Sequence, residues 1–82
     1  MPKKPRVVFY TDESFSEDSK TGTVYNVARI TEGQPGYEVA CSFSNLPAAQ
    51  ENARRMNVIK GNTEDDVQEV KISSMAAGKV NP

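Results

Sequence analysis

The chain has 82 residues, a net charge of −1, no histidine, no tryptophan and a single cysteine. This length allows one small domain, which buries only roughly 60% of the surface its unfolded form exposes. The residue counts exclude histidine-based catalysis, histidine metal ligation, an internal disulfide and a zinc site built on several cysteines. Hydrophobic residues at 37% and charged residues at 26% belong to a globular chain rather than a disordered one.

No segment reaches the ~20 apolar residues of a membrane span. The opening run MPKKPRVVFY is basic, but its apolar stretch is too short for a signal peptide. A cytoplasmic protein without a cofactor is expected. Charge is unevenly placed along the chain. Lys3, Lys4 and Arg6 crowd the first residues, and most acids fall in two clusters: Asp12, Glu13, Glu17, Asp18, and Glu64, Asp65, Asp66, Glu69.

Residues 1–5 are expected to be flexible. RVVFYT (Arg6–Thr11) is rich in β-branched and aromatic residues and reads as a first strand at a sheet edge. An edge left unpaired could join its own copy, which leaves a homodimer open. TDESFSEDSKTG (Thr11–Gly22) reads as a polar connection. TVYNVARIT (Thr23–Thr31) reads as a second strand, with Val24, Asn26, Ala28 and Ile30 as its core face and only poor separation from the other face. EGQPG (Glu32–Gly36) is a turn. YEVACSF (Tyr37–Phe43) alternates cleanly, which places Tyr37, Val39, Cys41 and Phe43 on one face.

SNLPAAQENARRMNVIKG predicts a helix capped by Ser44 or Asn45, with Pro47 in its first turn and Gly61 as its stop. Leu46, Ala49, Ala53 and Met56 form its apolar stripe. NTEDDVQEVKISSMAAG predicts a second helix with Thr63 as cap and Glu64, Asp65 and Asp66 in the first turn, where the helix dipole favours negative charge. Val67, Val70, Ser74 and Ala77 share a face there, and Ile72 does not. A strand over VQEVKIS is the rival to this helix. Residues 79–82 are expected to be flexible. The sum is a single α+β domain, a three-stranded antiparallel β-meander with one or two helices packed on one face, its other face open to solvent or a partner.

Asp12, Ser14, Ser16 and Asp18 alternate as the ligands of a calcium loop do. Glu17 stands where that loop needs glycine and Thr23 where it needs a bidentate glutamate, so a metal site is not expected. Phe15 is the unusual residue of the stretch: it either folds back onto the domain or anchors a partner. Cys41 has no histidine to activate it, and no serine sits in a nucleophile-elbow sequence. Ser73 and Val80 break the phosphate-loop pattern around Gly78-Lys79. No catalytic residue is expected, and the chain does not read as an enzyme.

VYNVARITEGQPGYEVACSF, AAQENARRMN and GNTEDDVQEVKISSMAAGK together resemble short proteins encoded by tailed bacteriophages of actinobacteria. The resemblance covers the chain from its second strand onward and carries no residue roles. It implies a small accessory protein made inside an infected cell, of the kind that binds and inhibits a host protein.

A non-enzymatic protein-binding role is therefore expected, with Asp12, Glu13, Phe15, Glu17 and Asp18, together with the open sheet face, as the partner surface. The alternative is a small nucleic-acid-binding domain using Lys3, Lys4, Arg6, Arg54 and Arg55, with Tyr10 and Tyr25 as stacking faces. The near-neutral net charge argues against it.

Overall fold

A computed structural model describes residues 4–78. One antiparallel sheet is built from β1 (Val7–Tyr10), β2 (Ser16–Ser19), β3 (Gly22–Thr31) and β4 (Glu38–Phe43), followed by α1 (Leu46–Lys60) and α2 (Glu64–Gly78). The α+β class is as expected. The sheet has four strands rather than three, because the acidic stretch is not a plain connection. It holds a 3₁₀ turn (Glu13–Phe15), then β2, then a two-residue reversal into β3, where Ser19 pairs with Gly22.

β3 is the spine of the sheet. Ala28 pairs with both Tyr10 and Val39, and Tyr25 with both Ser16 and Phe43. A strand residue has two edges, so β1 and β2 lie end to end along one edge of β3 and β4 lies along the other. Between them the chain runs Thr11–Phe15 past Asn26 and Val27 only, and the surplus residues form the 3₁₀ turn. Thr11 Oγ1 donates to the Asn26 carbonyl at 2.7 Å, a buried hydrogen bond that replaces the interrupted ladder.

The two helices cover opposite faces of this sheet, and this corrects the expectation of helices on a single face. Phe9 and Val27 pack with Ala49 and Ala53 of α1, while their neighbours Val8 and Ala28, with Ile30, pack with Val70 of α2. Successive strand side chains point to opposite faces, so each helix takes one set. There is thus no open sheet face at the centre. Val8, Val27 and Val70 are fully buried, each worth about 1.5–3 kcal/mol of apolar transfer. The weak face separation read in the second strand has its cause here: both sides of β3 are core.

β4 departs from its alternating pattern. Val27 pairs with Cys41 but Ala28 pairs with Val39, so Ala40 is the extra residue of a bulge. The side chains expected on one face are split by it. Cys41 and Phe43 pack toward α1, whereas Tyr37 meets Phe15 on the α2 side.

Both helix boundaries follow local chemistry. Asn45 Oδ1 accepts the Ala48 N–H at 2.9 Å, and Gly61, at φ 77°, closes α1 in the left-handed conformation. Thr63 Oγ1 accepts the Asp66 N–H at 3.1 Å while Asp66 Oδ2 accepts the Thr63 N–H at 2.8 Å, a reciprocal cap for α2. The segment 67–73 is helical throughout; Val67 packs inward and Ile72 is 64% exposed. Ser74 Oγ, shared between the Gln34 and Gly36 carbonyls, ties α2 to the β3–β4 turn.

The sheet edges are each guarded differently. Asn57 of α1 donates to the Phe9 carbonyl and accepts the Phe9 N–H, both at 2.8 Å, and Asn62 donates to the Val7 carbonyl at 2.8 Å. Self-pairing through β1 would have to displace these side chains. β2 carries Glu17 and Asp18, and β4 carries the bulge; charges and bulges both discourage edge pairing.

Candidate functional site

The acidic stretch folds into an ordered structure around Asp12. Its Oδ1 accepts from the Ser14 backbone N–H at 2.8 Å and from the Ser14 hydroxyl, and its Oδ2 accepts from the Tyr10 hydroxyl at 2.8 Å. Partial burial pushes the Asp12 carboxyl up, but the bonds from Ser14 and Tyr10 and the nearby Lys71 charge outweigh it. The net pKa lies below the usual carboxylate value. The same Tyr10–Asp12 bond, with burial and the Asp12 charge, raises the Tyr10 phenol. Asp12 and Ser14 thus spend their oxygens on the turn itself. Among the described residues no cluster of ligands suits a metal ion.

This turn carries Phe15 back onto the domain. Its ring meets Tyr10 edge to face at 5.9 Å and Tyr37 edge to face at 4.9 Å. Lys71 of α2 reaches over the Tyr10 ring, its Nζ 3.5 Å from the centroid, a cation–π contact. Tyr10, Phe15 and Tyr37, with Ile30, Lys71 and Ser74, wall a cleft of about 410 Å³ on the α2 side of the sheet. Its lining is mainly apolar with a few polar groups, as ligand and side-chain pockets are.

The polar groups of this cleft are almost all committed. The Tyr10 and Ser14 hydroxyls donate to Asp12, and the Ser74 hydroxyl donates to the turn carbonyls. Lys71 forms no ion pair among the described residues, and its ammonium and the Tyr37 hydroxyl are side-chain donors left to a visitor.

The remaining predicted acids are exposed. Glu13 sits in the 3₁₀ turn and Glu17 and Asp18 in β2, and none of the three has a cation within ion-pair distance among the described residues. Ser16 faces Tyr25 across the ladder, and Tyr25 packs on the α1 side. By alternation Asp18 shares that side, while Glu17 shares the side of the cleft. Asp12 and Phe15 thus line the cleft; Glu13 and Glu17 do not line it, and alternation puts Glu17 on the cleft side of the sheet and Asp18 on the other.

The basic residues proposed for nucleic acid are not assembled into a patch. Arg6 holds Glu32 at 2.7 Å and Asp66 and Glu69 at 2.9 Å each. The hydrogen bonds it donates to these three acids, Glu32 foremost, keep its guanidinium charged at any accessible pH. Arg54 and Arg55 both pair with Glu51. Arg54 lines a groove of about 540 Å³ between α1 and α2, where Glu64 and Asp65 oppose it. Lys4 is exposed beside the Arg6 network, and Lys3 lies outside the described residues. Tyr10 is covered by Lys71, and Tyr25 packs toward α1.

Sequence reasoning missed Tyr37, Lys71 and the role of Tyr10. Phe15 alone carried a signal, a large ring in a polar run. No helix among the described residues is long and apolar enough to cross a membrane. No protein-family profile matches the chain, and no curated protein or solved structure is significantly similar to it.

Proposed function

We propose that this chain is a non-enzymatic binding protein that acts by holding another protein through the surface formed by the 3₁₀ turn and β2. The observation that supports the reading is a preformed aromatic cleft lined by Asp12, Ser14 and Phe15, with Glu13 between those lining residues in the chain and Glu17 on the same side of the sheet by alternation, both exposed and in no ion pair among the described residues. Unpaired charges on an ordered surface steer and select an oppositely charged partner, and a concave aromatic pocket next to them supplies the buried contact that charge alone lacks. The partner is accordingly a protein with a basic surface. The resemblance to phage accessory proteins supports a host-cell protein in that place, and a modulating role follows from occupying it.

The test is affinity capture with the full chain from nuclease-treated actinobacterial lysate, comparing wild type with Glu13→Lys/Glu17→Lys. Asp12 is left intact because its reversal would dismantle the turn. A stoichiometric protein held by wild type and lost by the double variant is expected. Equal recovery by both would discard this surface, and capture that vanishes with nuclease would move the assignment to nucleic acid.

A further inference from the structure

The acidic rim and the aromatic cleft differ in what they admit, and the difference defines a ligand. Lys71 stands in the cleft with its ammonium over Tyr10, so a cationic side chain is repelled from the interior while Glu13 and Glu17 attract one outside. The rings of Phe15 and Tyr37 are the aromatic walls left to a visitor, with Tyr10 behind Lys71, and all three are already arranged edge to face, a geometry that a further ring extends at low cost because nothing must be reordered. A cleft of about 410 Å³ holds one large side chain comfortably. The Lys71 ammonium, an uncommitted donor like the Tyr37 hydroxyl, suits a neutral acceptor such as the peptide carbonyl next to that side chain.

Resting on the binding role proposed above, we infer that the occupant is a short extended peptide segment of the partner with one aromatic side chain in the Tyr10–Phe15–Tyr37 cleft and Lys or Arg on either side of it, outside. Extended residues advance about 3.3 Å each, so bases two positions away stand about 7 Å along the peptide from the anchoring side chain, outside the cleft.

The chain lacks tryptophan, so a tryptophan peptide reports its own environment without background. The probes are acetylated, amidated Lys-Gly-Trp-Gly-Lys, its Glu-Gly-Trp-Gly-Glu counterpart, and Lys-Gly-Ala-Gly-Lys as competitor. The expected result is a saturable blue shift of the basic tryptophan peptide, binding about tenfold weaker for the acidic peptide, and poor displacement by the alanine peptide. Tyr37→Ser, at a side chain 51% exposed and so tolerant of change, is expected to weaken binding about tenfold with unchanged far-UV circular dichroism. Glu13→Lys/Glu17→Lys is expected to weaken it while retaining the blue shift at saturation.

Absence of a blue shift, indifference to Tyr37→Ser, or equal displacement by the alanine peptide would overturn the aromatic-anchor inference. Loss of binding in the charge-reversed variant alongside any of these would leave the acidic surface standing without the cleft. Tighter binding of the acidic peptide would overturn the inference and the charge argument of the binding role together.

Discussion

Asn57→Ala is the perturbation that most sharply probes how this fold closes its sheet. The Asn57 amide takes both outward backbone groups of Phe9, N–H and C=O, each at 2.8 Å, and also accepts from Asn62 at 3.2 Å. Alanine leaves the two Phe9 groups without a partner at a half-buried edge and leaves the Asn62 side chain with its Val7 bond alone. A net hydrogen bond contributes about 0.5–1.5 kcal/mol, and stranding a buried group costs more. Two bonds and a weakened third sum to about 2–3 kcal/mol, set against a total of about 4–12 kcal/mol for a chain of this length. At about 4–8 °C per kcal/mol for a small domain, Tm falls by about 8–24 °C. Urea titration and thermal melts followed by circular dichroism read this directly, and hydrogen exchange adds a local check, since the Phe9 amide should lose its protection. Asn57→Asp keeps the acceptor but sets a carboxylate against the Phe9 carbonyl, so it should be no more stable than alanine. A Tm for Asn57→Ala within about 2 °C of wild type, equivalent to under about 0.5 kcal/mol, would refute the reasoning and show that water closes the edge as well as the side chain does.

Val70→Ala should cost about 2–3 kcal/mol, because the side chain is fully buried against Val8, Ala28 and Ile30; Ile72→Ala, one helical step off that face, should stay within about 0.5 kcal/mol in the same denaturation assay. Gly61→Ala should lose about 1 kcal/mol, since φ is 77° there and alanine is strained in that conformation although space is open. Asp12 and Asp66 both have carboxyls held below their usual value, Asp12 by Ser14 and Tyr10 against its burial, Asp66 by the Thr63 backbone N–H and then Arg6. A depressed folded pKa gives stability that is present above the unfolded value and lost as pH falls through the folded one; denaturation midpoints should therefore drop below about pH 4, less steeply in Asp66→Asn, and a flat acid limb would contradict both placements. The Cys41 thiol, raised by burial and donating to Asn52 Oδ1 at 3.1 Å, should alkylate at pH 8 more slowly than the same thiol in urea; equal rates would place it outside the α1 side of the core.

Much of the architecture was legible because its signals are local. Asn45, Pro47 and Gly61 state the limits of α1 in the sequence itself, and Thr63 with the following acids states the start of α2. β2 was not legible. SEDS has no strand pattern, and all four residues are exposed; it is a strand because the first half of β3 needs a partner along that edge. The coverage of both sheet faces was visible only as an apparent flaw, the poor face separation in TVYNVARIT. The bulge at Ala40 leaves no local trace, so the clean alternation of YEVACSF misassigned Tyr37 and Val39.

Arg6 shows the same limit for the site residues. It reads as part of a basic arm, yet its partners Asp66 and Glu69 lie in a cluster that helix capping already explains, and only the tertiary fold joins them. The cleft is assembled from β1, the 3₁₀ turn, the β3–β4 turn and α2. Phe15 announced it, but Tyr37 and Lys71 arrive from segments whose own patterns speak of strand and helix.

The most direct measurement is backbone amide chemical-shift mapping of the full chain as the protein recovered by capture is titrated in. The account predicts that the largest shifts fall at residues 10–17 and 36–38 and at Lys71, with Arg54, Arg55 and Lys4 unmoved. Shifts centred on Arg54, Arg55 and Lys4, with the turn and Tyr37 silent, would contradict it.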